Sequence, residues 1–104
     1  MSRELETFLR QYPDLVLVNF WQEGCDASRY MAQMLGGLEH FQQVSVLHLK
    51  LSEHRPWARH HGVFGTPALV VYYRSRALFR IIGRVTPEEL LRRFRELDVG
   101  DVGF

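Results

Sequence analysis

Apolar residues recur along this chain in two rhythms. Leu5, Phe8, Leu9 and Tyr12 are spaced three and four apart, which predicts an amphipathic helix stopped by Pro13. Directly after it, Leu15-Val16-Leu17-Val18-Asn19-Phe20-Trp21 is a nearly unbroken apolar run, the pattern of a strand buried on both faces. Gln22-Glu23-Gly24 breaks the run. A second helix is predicted from about Asp26, with Met31, Met34, Leu35 and Leu38 as its apolar stripe. Gly36-Gly37 falls inside that stripe. Each glycine costs a helix about 1 kcal/mol relative to alanine, so a bend or an early end is expected there.

Val44 to Leu51 reads as another strand, and Pro56 to His61 as a short helix closed by Gly62. Ala68 to Tyr73 is a third apolar run, rich in valine and tyrosine. Arg74-Ser75-Arg76 then leads into Leu78 to Ile82, and so short a connection predicts an antiparallel hairpin. Thr86-Pro87-Glu88-Glu89 carries a helix start: Thr86 as N-cap, Pro87 at the first helical position, Glu89 completing a capping box. That helix runs to about Leu97 and leaves a Gly-containing tail. The order α-β-α-β-α-β-β-α combines a βαβ part with a final hairpin, so a mixed α/β sheet is expected.

Length and composition narrow this further. The 104 residues, 46% hydrophobic and 24% charged, suit one domain over 1–104, since two halves would each be too small to bury a core. The formal net charge is only +1, and the arginines are interleaved with Asp and Glu, a solvated face rather than a nucleic-acid surface. No apolar run approaches the ~20 residues of a membrane helix. The polar start Met1-Ser2-Arg3-Glu4 lacks the apolar segment of a signal peptide, so a cytoplasmic protein is expected, and a monomer. Cys25 is the only cysteine, so any disulfide it makes is with another molecule.

Two segments carry a resemblance. Val18-Asn19-Phe20-Trp21-Gln22-Glu23-Gly24-Cys25-Asp26-Ala27-Ser28 resembles the active-site strand and turn of the thioredoxin-like family, where an aromatic-ended strand runs into Cys-x-x-Cys at a helix start. Gly62-Val63-Phe64-Gly65-Thr66-Pro67-Ala68 resembles the family's cis-proline segment, and Gly83 matches a glycine lining its substrate groove. The similarity spans roughly Leu15 to Phe94. It implies a thioredoxin-like fold, a central mixed four-stranded sheet flanked by helices on both faces. It also implies cell redox chemistry on protein or peptide thiols and disulfides. Three positions depart from the pattern: Ser28 replaces the second cysteine, Asn19 the buried acid, and Gly24 the tryptophan before the first cysteine.

The first departure matters most chemically. Cys25 stands in the attacking position, but Ser28 cannot displace sulfur, so a mixed disulfide must wait for an outside thiol such as glutathione or a substrate's own cysteine. The expected chemistry is monothiol exchange of the isomerase or deglutathionylation type. Cys25 would be the nucleophile and Ser28 its stabiliser, with Trp21, Gly24, Asp26, Thr66, Pro67 and Gly83 forming the surface that receives substrate. The helix start favours the Cys25 thiolate, Asp26 opposes it, and Arg29 offsets Asp26. The alternative is a non-redox binding or chaperone module using the same cis-proline groove.

The remaining candidates are weaker. His60 and His61 are adjacent and His40, His48 and His54 scattered, so no metal spacing emerges. Cys-x-x-Ser also occurs in monothiol glutaredoxins that bridge an iron–sulfur cluster. Their glutathione-binding Gly-Gly-Asp type turn is replaced here by Ile82-Gly83-Arg84-Val85-Thr86, so no cofactor is expected. Trp57, Tyr30 and the methionine stripe read as packing residues. Arg92, Arg93 and Arg95 read as complements to a helix C-terminus.

Overall fold

The structure is a computed structural model and describes residues 3–40 and 44–97. In chain order the elements are α1 (Arg3–Gln11), β1 (Leu15–Trp21), α2 (Asp26–Leu38), β2 (Ser45–Lys50), a 3-10 turn (Leu51–Glu53), α3 (Arg55–His60), β3 (Ala68–Tyr73), β4 (Arg76–Ile82) and α4 (Pro87–Leu97). The glycine tail expected after Leu97 lies outside the described residues.

The four strands form one mixed sheet in the order β2-β1-β3-β4. β1 runs parallel to β2 with Asn19 opposite His48, and antiparallel to β3 with Val18 opposite Val70. β3 and β4 form the antiparallel hairpin, with a register shift at Val71/Tyr72. Its turn places both Arg74 and Ser75 at positive φ. The strand-period alternation of β1 and β3 divides the core in two. Leu15, Leu17, Leu69 and Val71 face one side, packed with Leu5 and Leu9 of α1, Met31 and Leu35 of α2, and Leu90 and Phe94 of α4. Val18, Phe20, Ala68 and Val70 face the other, against Ala58 of α3 and the flanking Leu51 and Val63.

Two local expectations change. α2 runs unbroken through Gly36 and Gly37. Leu35 and Leu38 on either side of the pair are fully buried, and that burial outweighs the propensity cost. At its C-terminus the Glu39 amide still reaches the Leu35 carbonyl at 3.2 Å. Leu51, read as the end of a strand, instead opens the 3-10 turn. The start of α4 follows its signals: the Glu89 amide donates to Thr86 Oγ1 at 3.1 Å. Among the described residues no helix is long and apolar enough to cross a membrane.

Candidate active site

β1 ends at Trp21, and the chain turns through Gly24, whose φ of +74° is a conformation that disfavours side chains. Cys25 follows as the N-cap of α2, in extended conformation, with its carbonyl accepting from the Arg29 amide at 3.2 Å. The helix therefore begins at the sulfur-bearing residue, and the unpaired amides of its first turn lie beneath the thiol. Cys25 is half-buried and lines an open cleft of about 360 Å³, with Trp21, Gly24, Ser28, Arg29 and Ala32 among its walls.

The Thr66–Pro67 peptide is cis, and Cys25 Sγ lies 3.9 Å from the Thr66 carbonyl oxygen. Pro67 is buried, and its carbonyl accepts from the Gly83 amide at 2.9 Å, which ties the start of β3 to the end of β4. The fold thus gathers Cys25, Ser28, Trp21, Gly24 and Thr66 at one end of the sheet, with Pro67 and Gly83 bracing Thr66 from behind. Thr66, Pro67, Gly83 and Asp26 do not line the cleft itself, and Asp26 is exposed and paired with the Arg29 guanidinium in the first turn of α2.

Ser28 is 3% exposed, and its Oγ has no hydrogen-bond partner among the described residues. The Cys25 thiol is held below the ordinary thiol range, chiefly by the Ser28 hydroxyl, then by the Ser28 amide and by hydrogen bonding at Thr66. Partial desolvation works in the opposite direction and is outweighed. The hydroxyl favours the thiolate electrostatically without closing a hydrogen bond of ordinary geometry to the sulfur.

One feature behind the site was not legible in the chain pattern. Asn19 is fully buried, and its Nδ2 lies 3.2 Å from His48 Nδ1. His48 Nε2 lies 2.6 Å from Glu39 Oε1 at the surface. An amide donating to Nδ1 fixes the proton on Nε2, which donates to the carboxylate. Asn19 Oδ1 has no partner among the described residues. His48 was one of the scattered histidines; only the β1–β2 register sets it opposite Asn19. The same register sets Lys50 opposite Trp21, with its Nζ 5.6 Å from the ring centroid and 2.9 Å from Glu23 Oε1. Glu23 raises the Lys50 pKa, so this ammonium stays charged beside the cleft.

A four-stranded mixed sheet with helices on both faces and a half-buried N-cap cysteine opposite a cis-proline defines a thioredoxin-fold protein, and comparison with solved structures agrees. A mutant thioredoxin from Halobacterium salinarum NRC-1 superposes with a TM-score of 0.72 at 20% identity, covering 93% of this chain and 85% of that one. No family model matches the sequence. Thioredoxin from Streptomyces clavuligerus is 33% identical over 78 residues, 74% of this chain and 73% of its own length. Thioredoxin from Alicyclobacillus acidocaldarius is 30% identical over 77 residues, 72% of this chain and 73% of its own. The chain belongs to the thioredoxin family.

Proposed function

We propose that this protein is a monothiol member of its family, exchanging disulfides through Cys25 with an external thiol as the resolving group. The supporting observation is the single cysteine at the N-cap of α2, its thiol held below the ordinary range chiefly by the Ser28 hydroxyl one helical turn away. The Cys25 thiolate attacks one sulfur of a substrate disulfide, forming a mixed disulfide and expelling the other sulfur as a thiolate. An outside thiolate then attacks the substrate sulfur of that mixed disulfide and releases Cys25 as thiolate. Cys25 ends as it began: one disulfide has been exchanged for another, with one outside thiolate consumed and one substrate thiolate released. With a glutathionylated protein, Cys25 takes the glutathione and a second glutathione removes it as the oxidised dimer. With a scrambled disulfide, the substrate's own cysteine resolves the adduct, which is isomerisation.

In this reading Trp21, Gly24 and Thr66 face the substrate, the Thr66 carbonyl stands beside the reacting sulfur, and Pro67 and Gly83 hold that carbonyl in place. Asp26, turned to Arg29, bears on the approach of a substrate rather than on the sulfur.

The test is turnover of a glutathionylated peptide with and without added glutathione. Turnover that requires glutathione and disappears in Cys25→Ala supports the proposal. A wild type that captures a protein partner without turnover, equally well without Cys25, would instead identify a binding module.

A further inference from the structure

A second open cavity of about 510 Å³ lies over the β3–β4 edge of the sheet and shares no lining residue with the cysteine cleft. Its walls carry Arg59 and His60 from the last turn of α3, His61 and Gly62 from the loop after it, and Val70 and Arg80 from the strands. Among the described residues no acidic side chain lines it. Elsewhere Arg29 is paired with Asp26, Arg74 with Asp14, Arg92 with Glu96 and Arg95 with Glu4, whereas Arg3, Arg55, Arg76, Arg84 and Arg93 have no carboxylate partner among the described residues. Arg59 and Arg80 have no carboxylate partner among the described residues.

Helix-terminus chemistry does not account for this grouping. Cations in a last turn complement helix carbonyls, but two of those at the end of α3 are already bonded by backbone amides. Ala58 O accepts from the amides of His61 at 3.0 Å and Val63 at 2.8 Å, and Arg59 O from that of Gly62 at 2.9 Å. Arg80, moreover, arrives from β4. Its guanidinium lies over Gly62, where a built Cβ would stand 3.2 Å from Arg80 Cζ. The absence of a side chain at Gly62 therefore lets the planar cation reach the cavity wall. His61 is oriented as well. Its Nε2 is hydrogen-bonded to the Tyr72 hydroxyl, and its ring is packed edge-on against Trp57 and Tyr72.

We propose that this cavity binds the phosphate group of a small ligand. Two guanidinium forks with no carboxylate partner among the described residues, beside the imidazoles of His60 and His61, match a dianion whose oxygens accept paired N–H bonds. The volume falls within the range of small-molecule sites and exceeds what inorganic phosphate alone would fill, and Val70 and Ala77 give one wall an apolar surface for an organic remainder.

The test is NMR titration of the full chain with inorganic phosphate and with phenyl phosphate, against sodium chloride at matched ionic strength. Saturable shifts at His60, His61, Gly62 and the Arg80 side chain are expected with the phosphates and not with chloride. Arg59→Gln and Arg80→Gln, both surface changes, should each weaken binding about tenfold or more, while Arg92→Gln should not. Tighter binding of phenyl phosphate identifies an organic phosphate as the ligand, and equal binding identifies the free anion. Shifts that fail to saturate, that chloride reproduces, or that survive Arg80→Gln unchanged overturn the proposal.

Discussion

Replacing Ser28 by alanine should stabilise the protein while making it a poorer nucleophile. Ser28 is the third residue of α2 after the N-cap, is 3% exposed, and its Oγ has no hydrogen-bond partner among the described residues. Leaving a buried hydroxyl unpaired costs about 1–3 kcal/mol. Alanine removes that cost and adds a few tenths of a kcal/mol in helix propensity. The small void left by the oxygen subtracts from this, which brings the expected gain to about 1 kcal/mol. For a domain of this size that is a rise in Tm of about 4–8 °C.

The pH dependence has a definite sign. Cys25 has a lowered pKa in the folded state, so its ionisation adds to wild-type stability as pH rises through that value toward the unfolded one. The variant lacks the leading cause of the shift, so its advantage should be greatest in acid, below the folded-state value, and narrow in alkaline solution. Urea denaturation at the two pH values gives the stabilities, and iodoacetamide alkylation of Cys25 gives the nucleophilicity. A variant no more stable than wild type at the lower pH, or one alkylated as fast as wild type across the range, would show that the hydroxyl does not serve the sulfur.

Further outcomes follow from the same structure. Wild-type Cys25 should alkylate with a pH midpoint below that of a free cysteine peptide measured alongside; a midpoint at or above the peptide's contradicts helix and hydroxyl stabilisation. His48→Ala should cost about 1–3 kcal/mol in urea denaturation, because it strips the buried Asn19 amide of its bond to the imidazole. Glu39→Gln, at the exposed end of the chain of contacts, should cost less than about 1 kcal/mol. Phe94→Ala removes a fully buried ring with centroids 5.1 Å from Phe8 and 5.8 Å from Phe79, and should cost about 3–5 kcal/mol by the same assay. Thr86→Ala should cost about 1 kcal/mol through loss of the Glu89 amide bond, with Thr86→Ser largely restoring it.

Short-range physics made much of this protein legible from the chain alone. The β1 run, the helix stripes, the hairpin connection and the Thr86-Pro87 start each depend on neighbours within a few positions, and each appears in the fold. The single cysteine at a helix start with serine three residues on is likewise a statement about adjacent residues, and it sets what sulfur chemistry is available. The Gly36-Gly37 pair was misleading because propensity is local, whereas the burial of Leu35 and Leu38 that overrides it comes from the rest of the core.

Tertiary structure alone decided which distant groups meet. Asn19 finds His48 through a strand register, Cys25 finds Thr66 across 41 positions, and Arg80 reaches the loop at Gly62 because β4 lies beside β3 under the end of α3. The hydrophobic pattern specifies which face of each strand is buried, but not which polar residue of another strand will stand opposite. Whether the Ser28 hydroxyl is satisfied, and whether Asp26 addresses the sulfur or Arg29, depends on distances of an ångström or so that follow from packing rather than from spacing along the chain.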